Sequence, residues 1–360
     1  MKKLQYTLLA VVAAIAFTSC EKVSPIGVLV SGTGVEDRVK MSNKYYSEHK
    51  SDFKWHDVVG QDEYTFLVGA DSHLTTDDGR MREMFQMGLD NNDLLYAHLG
   101  DIADTKAEYY ITLEELIDEY RWKYAKKNYK EVFMGDLSEA TDDATKQDMI
   151  NDPSYYLYID SINDKMYGVD DVPFPFYPVV GNHDITHNGW ALWSNIFHSS
   201  FYDVYVLVSE EPILFDHFIF LDSASGTLGR EQVELIEEGV LDGKEMAKFF
   251  GQEGSIFRNT FVFSHTNIFR PRTVEFASTF PREEMFFLLD QFDKWDANIV
   301  FLGHVHMWDY QKNDKTEYLT LDSMCEENNP APGDYLVRVH VKKDGTIRWE
   351  RVHMSYTPKK

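Results

Sequence analysis

The chain is poor in cysteine, with only Cys20 and Cys325 among its 360 residues. A fold stapled by several disulfides is therefore excluded, and stability must come mainly from a packed core. Apolar residues make up 43% of the sequence, so a large core is expected and global disorder is not. Cys325 follows a strand-like run, which predicts a buried structural thiol.

Positive charge is also scarce, because 35 lysines and arginines face 60 aspartates and glutamates, a formal charge of 35 − 60 = −25. No stretch resembles a basic track along which a phosphate backbone could lie. A nucleic-acid polymer is therefore excluded as a partner. The acidity itself is interpreted as a contribution to solubility.

Long apolar runs are missing as well. The run Leu8–Phe17 has ten residues, which is too short to span a bilayer. It follows Lys2 and Lys3 and ends shortly before Cys20, a pattern typical of a bacterial lipoprotein signal peptide. We expect Cys20 to be lipidated and to anchor the chain to the cell envelope, on the periplasmic or cell-surface side. An ordinary secretory signal that happens to contain a cysteine is the alternative.

Five short polar clusters stand out because each follows an apolar run that reads as a β-strand. They are Asp71-Ser72-His73, Gly100–Asp104, Gly181–Asp184, Ser264-His265 and Gly303–His306. Open α/β sheets build their sites at such strand ends. The side chains offer oxygen and nitrogen donors without any thiolate. This donor set favours two adjacent divalent or trivalent metal ions acting on a phosphate ester.

In this order the clusters resemble the calcineurin-like metallophosphoesterases, whose pattern is D-x-H, G-D-x-x-D, G-N-H-[DE], a lone His and G-H-x-H. The resemblance covers residues 62–325 and is specific for the family but not for a substrate. It implies an α/β fold in which two mixed β-sheets pack as a sandwich flanked by helices. The dimetal site would lie at the strand ends.

The resemblance also implies the ligands of two metal ions, which could be Mn, Fe, Zn or Co. One ion would be held by Asp71, His73, Asp101 and His306. The other would be held by Asp101, Asn182, His265 and His304, so that Asp101 bridges the pair. Two such ions would lower the pKa of a water between them toward ~7 and provide a hydroxide as nucleophile.

His183 is not a ligand in this assignment. The resemblance implies that His183 is the general acid for the leaving group, with Asp104 behind it. A carboxylate behind an imidazole orients the ring and favours its protonated form. The alternative is that His183 only donates a hydrogen bond to the phosphate.

The clusters depart from two branches of the family. Ala103 and Asp104 stand where purple acid phosphatases place a metal-binding Tyr, and Asp184 replaces the Glu of the protein phosphatases. The match is closer to enzymes that act on small phosphate esters. His187 and Arg270 are candidate substrate contacts, although a solvent-exposed loop His and a surface salt bridge explain them equally well or better.

The predicted organisation is a signal peptide over residues 1–20, a leader with a short helix over 21–60, and a catalytic domain over 61–360. Residues 105–175 are interpreted as an insertion that lies over the site or only decorates the surface. Strands are expected within 317–353. The predicted function is hydrolysis of a small phosphate monoester or diester outside the cytoplasm. A catalytically silent, ligand-binding envelope lipoprotein is the alternative.

Overall fold

The computed structural model describes residues 33–48, 55–160, 165–269, 280–325 and 334–356. The predicted signal peptide, including Cys20, lies outside these ranges. Within them, no helix combines the length and apolar character that crossing a membrane requires.

The strands are short and mostly buried. They are β1 (Trp55–Asp57), β2 (Glu63–Gly69), β3 (Leu95–His98), β4 (Lys130–Phe133), β5 (Tyr156–Asp160), β6 (Lys165–Tyr167), β7 (Phe176–Pro178), β8 (Tyr202–Glu210), β9 (Ile213–Leu221), β10 (Phe257–Ser264), β11 (Ala297–Leu302), β12 (Asp309–Asn313), β13 (Thr316–Thr320), β14 (Asp334–Lys342) and β15 (Ile347–His353).

The α-helices connect these strands. They are α1 (Val35–Glu48), α2 (Gly79–Asn91), α3 (Ala107–Asn128), α4 (Asp143–Asn151), α5 (Asn182–Ile185), α6 (Gly189–Phe197), α7 (Gly229–Glu237), α8 (Lys244–Phe249) and α9 (Arg282–Lys294).

Two mixed sheets carry most of the chain. The first has the order β1-β8-β9-β10-β11-β13-β12, and the second has the order β15-β14-β2-β3-β7. In the first sheet β9, β10, β11 and β13 run parallel, so their carboxyl ends meet at one edge. In the second sheet β2 and β3 are also parallel, while β14 pairs with both β2 and β15 in the antiparallel sense.

The main core lies between the two sheets. Alternate residues of each strand point into it, as the pleat of a strand requires. Phe66 of β2 contacts Phe218 of β9 and Phe261 of β10, with ring centroids 5.0 Å apart in both pairs. All three rings are fully buried, and burial of each is worth about 1.5–3 kcal/mol. The two sheets therefore form a sandwich.

Helices cover the outer face of the first sheet. Ile219 of β9 and Val262 of β10 pack in one apolar cluster with Ile236 of α7 and Phe292 of α9. Val39 of α1 joins the same cluster. The predicted class, two mixed sheets packed as a sandwich and flanked by helices, is therefore confirmed.

Residues 111–176 form a compact unit of their own, separate from the unit made by residues 1–110 and 177–360. It contains an antiparallel sheet of order β4-β5-β6 and a small core around Ala125, Tyr158 and Val172. Helix α3 stops at Asn128, and strand β4 follows it. Val132 and Phe133 favour an extended backbone, and they pair there with β5.

Candidate metal centre

All five polar clusters begin at the carboxyl end of a strand or within three residues after it. Asp71 follows β2, Asp101 follows β3 and Asn182 follows β7, all in the second sheet. His265 and His304 follow β10 and β11 of the first sheet. Both sheets therefore contribute to one group of side chains at the same end of the sandwich.

A first set of candidate ligands is formed by Asp71, His73, Asp101 and His306, whose donor atoms all lie within 4.8 Å of one another. His73 Nε2 is 3.4 Å from His306 Nε2, which in turn is 3.4 Å from Asp71 Oδ1. Donors bound tetrahedrally at 2.0–2.2 Å from one ion would be separated by about 3.4 Å. The spacing of the first set therefore fits a metal ion.

A second set contains Asp101, His265 and His304. His265 Nδ1 donates to the carbonyl oxygen of Leu99 at 2.8 Å, so the neutral ring carries its lone pair on Nε2. That nitrogen lies 2.8 Å from Asn182 Oδ1 and 3.5 Å from Asp101 Oδ2. Acceptor atoms at such distances repel each other unless a proton or a cation lies between them. Asp101 belongs to both sets, where a bridging ligand would stand.

The charges of the cluster suit metal binding. Burial alone would raise the pKa of Asp71, but His306, His265 and His73 outweigh it and hold that pKa below the usual range. The pKa of Asp101 is lowered in the same way against its burial. Burial, with repulsion from His265, lowers the pKa of His304 to about 4. Asp71 and Asp101 are thus charged and His304 is neutral, the forms in which these three residues bind metals.

The backbone of the candidate ligands is unusual. Asp71, His73, Asp101, His304 and His306 have φ angles of 50°, 41°, 51°, 72° and 54°. Positive φ is uncommon outside glycine and typically costs about 1–2 kcal/mol per residue. Such strain concentrates at functional sites, where the surrounding structure fixes the backbone.

Glycine allows two of these loops to touch. A Cβ atom on Gly181 would lie 2.0 Å from the backbone nitrogen of Asp101. Gly100 has a φ of 88°, and a Cβ there would lie 2.7 Å from the backbone nitrogen of Gly181. The glycines of the second and third clusters are therefore required for the close approach of Asp101 and Asn182.

His183 and Asp104 form a pair beside the ligands. His183 Nδ1 is 2.9 Å from Asp104 Oδ1, and the His183 backbone N–H donates to Asp101 Oδ1 at 2.7 Å. Burial lowers the pKa of His183, but the hydrogen bond to Asp104 and the charge of Asp101 outweigh it and raise that pKa to about 9. Asp104 also lies 3.5 Å from Nδ1 of His73, so it touches a candidate ligand as well.

Asp184 is a structural residue of the site that the sequence reasoning missed. Its buried carboxylate accepts hydrogen bonds from the backbone N–H groups of Gly181, Ile102 and Ala103 at 2.8–3.2 Å. Tyr110 donates to it as well, at 3.3 Å. Asp184 therefore ties the second cluster to the third. Its position as the last residue of G-N-H-D was the available signal.

One further predicted residue, His187, is not brought to the cluster. His187 is exposed and belongs to no group of candidate ligands in the described part of the chain. Its role as a substrate contact stays a prediction. Arg270 and the lipidation site Cys20 lie outside the described residues.

No protein-family model matches this chain, and no curated protein sequence matches it. Solved structures do match. GAP50, the anchor in the inner membrane complex of Plasmodium, is 12% identical with a TM-score of 0.43, over 82% of this chain and 90% of that one. A dimetal phosphatase from Danio rerio is 12% identical with a TM-score of 0.39, over 78% of this chain and 93% of that one.

A putative 5'-nucleotidase from Staphylococcus aureus is also similar, at 12% identity and a TM-score of 0.40. The match covers 82% of this chain and 56% of that one. Likenesses at this level carry no argument about activity. The fold is established by the sheets of this chain, and the candidate site by its own distances.

Proposed function

We propose that this chain is a metal-dependent phosphoesterase of the calcineurin-like kind that hydrolyses a small phosphate ester. The observation that carries the proposal is the position of Asp101, which belongs to both sets of candidate ligands. The pair formed by His183 and Asp104 lies directly beside it.

The residues present fit two metal ions. Asp71, His73 and His306 would hold one ion, Asn182, His265 and His304 would hold the other, and Asp101 would be shared. When bound, the ions would offset the charge of the phosphate and make a nucleophile available at neutral pH. The two carboxylates in this set leave the loaded centre with net positive charge, which suits an anionic ester.

His183 would supply the proton for the leaving group. Its Nδ1 is engaged with Asp104, which leaves Nε2 as the atom that can donate to the ester oxygen. As the bond from phosphorus to that oxygen breaks, the proton would move from Nε2 to the oxygen. Asp104 orients the ring and stabilises its charged form, as a carboxylate behind an imidazole does.

The envelope location is a separate proposal. It is supported by the run Leu8–Phe17 between the two lysines and Cys20. Replacing Cys20 with Ser should release the protein from membranes without changing its specific activity, because every proposed ligand lies at Asp71 or beyond. Sedimentation of the Cys20→Ser protein with membranes after a high-salt wash would contradict the anchor.

The test of activity uses two aryl substrates. The full chain, loaded with Mn²⁺ or Zn²⁺, is assayed with a mono-aryl and a bis-aryl phosphate, with Asp101→Asn as the inactive control. Release of the aryl alcohol by the wild type alone is the expected result, and the preferred substrate decides between monoester and diester. The same substrate test would include a panel of nucleotides, sugar phosphates and phospholipid headgroups. The proposal of catalysis would be contradicted if the chain bound two ions but hydrolysed neither aryl phosphate nor any member of this panel. That result would favour a binding protein.

A further inference from the structure

The loop Gly303–Met307 carries two candidate ligands, His304 and His306, on a strained backbone. We propose that Asp322 is a positioning residue for this loop, and through it for the metal ion bound by His306. The inference rests on the proposed function, because it assigns a role toward the same metal centre.

Each end of the loop is held by a buried carboxylate. At the start, the backbone N–H of His304 donates to Asp71 Oδ2 at 3.0 Å. At the end, the backbone N–H of Trp308 donates to Asp322 Oδ1 at 2.8 Å. Between these points His304 and His306 have φ angles of 72° and 54°. A backbone in this region persists only when its surroundings fix it, so both anchors matter.

Asp322 is itself held in place by the C-terminal hairpin, which consists of β14 and β15. Arg351 of β15 donates from Nη2 to Asp322 Oδ2 at 2.6 Å, and the Asp322 side chain is only 2% exposed. The guanidinium carbon of Arg351 also lies 4.5 Å from the ring centroid of Trp308. Arg351 therefore contacts both Asp322 and Trp308, and the backbone N–H of Trp308 donates to Asp322. A charge buried to this degree requires such a partner.

The residues that follow Asp322 reach a second ligand. Ser323 Oγ donates to the carbonyl oxygen of Asp71 at 2.8 Å, and the backbone N–H of Cys325 donates to the same oxygen at 3.2 Å. Met324 N–H donates to the carbonyl oxygen of Ala70 at 2.9 Å. The segment 322–325 thus fixes the backbone of Asp71 and the loop of His306. Both residues belong to the first set of ligands, so the role concerns one ion more than the other.

Loss of Asp322 should therefore weaken metal binding. Removing a group that orients a metal ligand typically lowers affinity by about 10–100-fold. We expect Asp322→Ala to weaken one of two Mn²⁺ sites by this factor. Asp322→Asn should have a smaller effect, because the amide oxygen can still accept from Trp308. The amide nitrogen, in contrast, cannot accept from Arg351.

A second buried carboxylate provides the matched control. Asp93 precedes β3 and is bound by Arg338 of β14 at 3.0 Å, so its partner lies in the same hairpin as Arg351. Asp93 lies at the opposite end of β3 from Asp101. Asp93→Ala should lower the melting temperature as Asp322→Ala does, but it should leave the affinity for Mn²⁺ unchanged.

The experiment is calorimetric titration of the chelator-treated full chain with Mn²⁺, with melting curves for every variant. We expect two Mn²⁺ sites of unchanged affinity in the wild type and in Asp93→Ala. One of these sites should bind Mn²⁺ more weakly in Asp322→Ala, and the loss should be smaller in Asp322→Asn. Equal affinities in wild type and Asp322→Ala would overturn the positioning role. Equal weakening in Asp93→Ala would also overturn it, because the effect would then follow global stability.

The titration separates this inference from the proposed function. If the wild type binds two Mn²⁺ ions and Asp322→Ala binds one of them more weakly, the positioning role holds even if no ester is hydrolysed. If the wild type hydrolyses esters and Asp322→Ala binds both ions as tightly, only the positioning role fails. A wild type that binds no Mn²⁺ would overturn both.

Discussion

Two clusters of buried carboxylates in the same sandwich differ in the residues that supply positive charge to them. On β9, Asp216 is fully buried, but Arg258 donates to both of its oxygens at 2.9 and 2.6 Å and Tyr64 adds a hydrogen bond at 2.6 Å. At the strand ends, Asp71 and Asp101 are equally buried. Among the described residues their ion-pair partners are histidines, without a lysine or an arginine.

The comparison teaches that burial of charge does not by itself mark a functional site. The cluster at Asp216 is neutralised by the chain's own cation and lies in a regular strand, so it is a structural element. The cluster at Asp71 and Asp101 brings acceptor atoms together on a strained backbone. Such an arrangement is favourable when a proton or a cation lies between the acceptor atoms, and a bound metal ion provides that charge. This difference is the physical basis for a metal centre.

The largest expected effect comes from Asp101→Asn. It should lower activity by more than the ~10–100-fold loss seen for groups that only orient a ligand, because Asp101 is shared by both ligand sets. Metal content should fall at both sites, since the bridge loses its charge. Elemental analysis and an ester assay provide the measurement. Full occupancy with normal turnover would rule out the bridging role.

His183→Ala should keep both ions and lose turnover by ~10²–10⁴-fold on an alkyl ester, the typical contribution of general acid catalysis. An aryl ester has a better leaving group and should lose less. The ratio of variant to wild-type rates on the two esters is the measurement. An equal loss on both esters would show that His183 is not the acid.

Arg258→Met tests the structural role of the cluster at Asp216. It leaves Asp216 buried without its cation, and breaking such a pair typically costs about 3–5 kcal/mol in the free energy of unfolding. Denaturant unfolding should show this loss while Mn²⁺ binding stays unchanged. A matching loss of metal affinity would mean that the two clusters are not independent.

The smallest effect concerns backbone strain at His306. Replacement by Ala or by Gly removes the imidazole in both cases, but only Gly adopts a φ of 54° without strain. In the metal-free chain the Gly variant should be about 1–2 kcal/mol more stable than the Ala variant. Unfolding in the presence of a chelator measures the difference. A more stable Ala variant would show that the strain is absent in solution.

The strand ends and their polar clusters could be predicted from the sequence because each signal is local. An apolar run followed by Asp71, Asp101 or His304 is visible without knowledge of the fold. The structure places these side chains at the strand ends, as the predicted fold class requires. The chemical roles of His183 and Asp104, which the structure brings to 2.9 Å, stay predictions.

Features that depend on distant residues could not be predicted. Asp322 contacts Trp308 and Arg351, which lie 14 and 29 residues away in the chain. Strand β8, which carries the buried Asp203, is not among the predicted strands. That carboxylate is accommodated by His217 at 2.9 Å on the neighbouring strand. The positive φ angles of five candidate ligands likewise follow from the packing of loops and not from the residue types.

Anomalous diffraction from crystals grown with Mn²⁺ tests the central claim most directly, because it locates the cations that the cluster at Asp71 and Asp101 requires. The expected result is two Mn²⁺ peaks about 3.5–4 Å apart, on either side of the Asp101 carboxylate. No peak should appear at Asp216, where Arg258 already provides the cation. If crystals with saturating Mn²⁺ show no anomalous peak beside Asp101, on the side of Asp71 or on the side of His265, the cluster is not a metal centre.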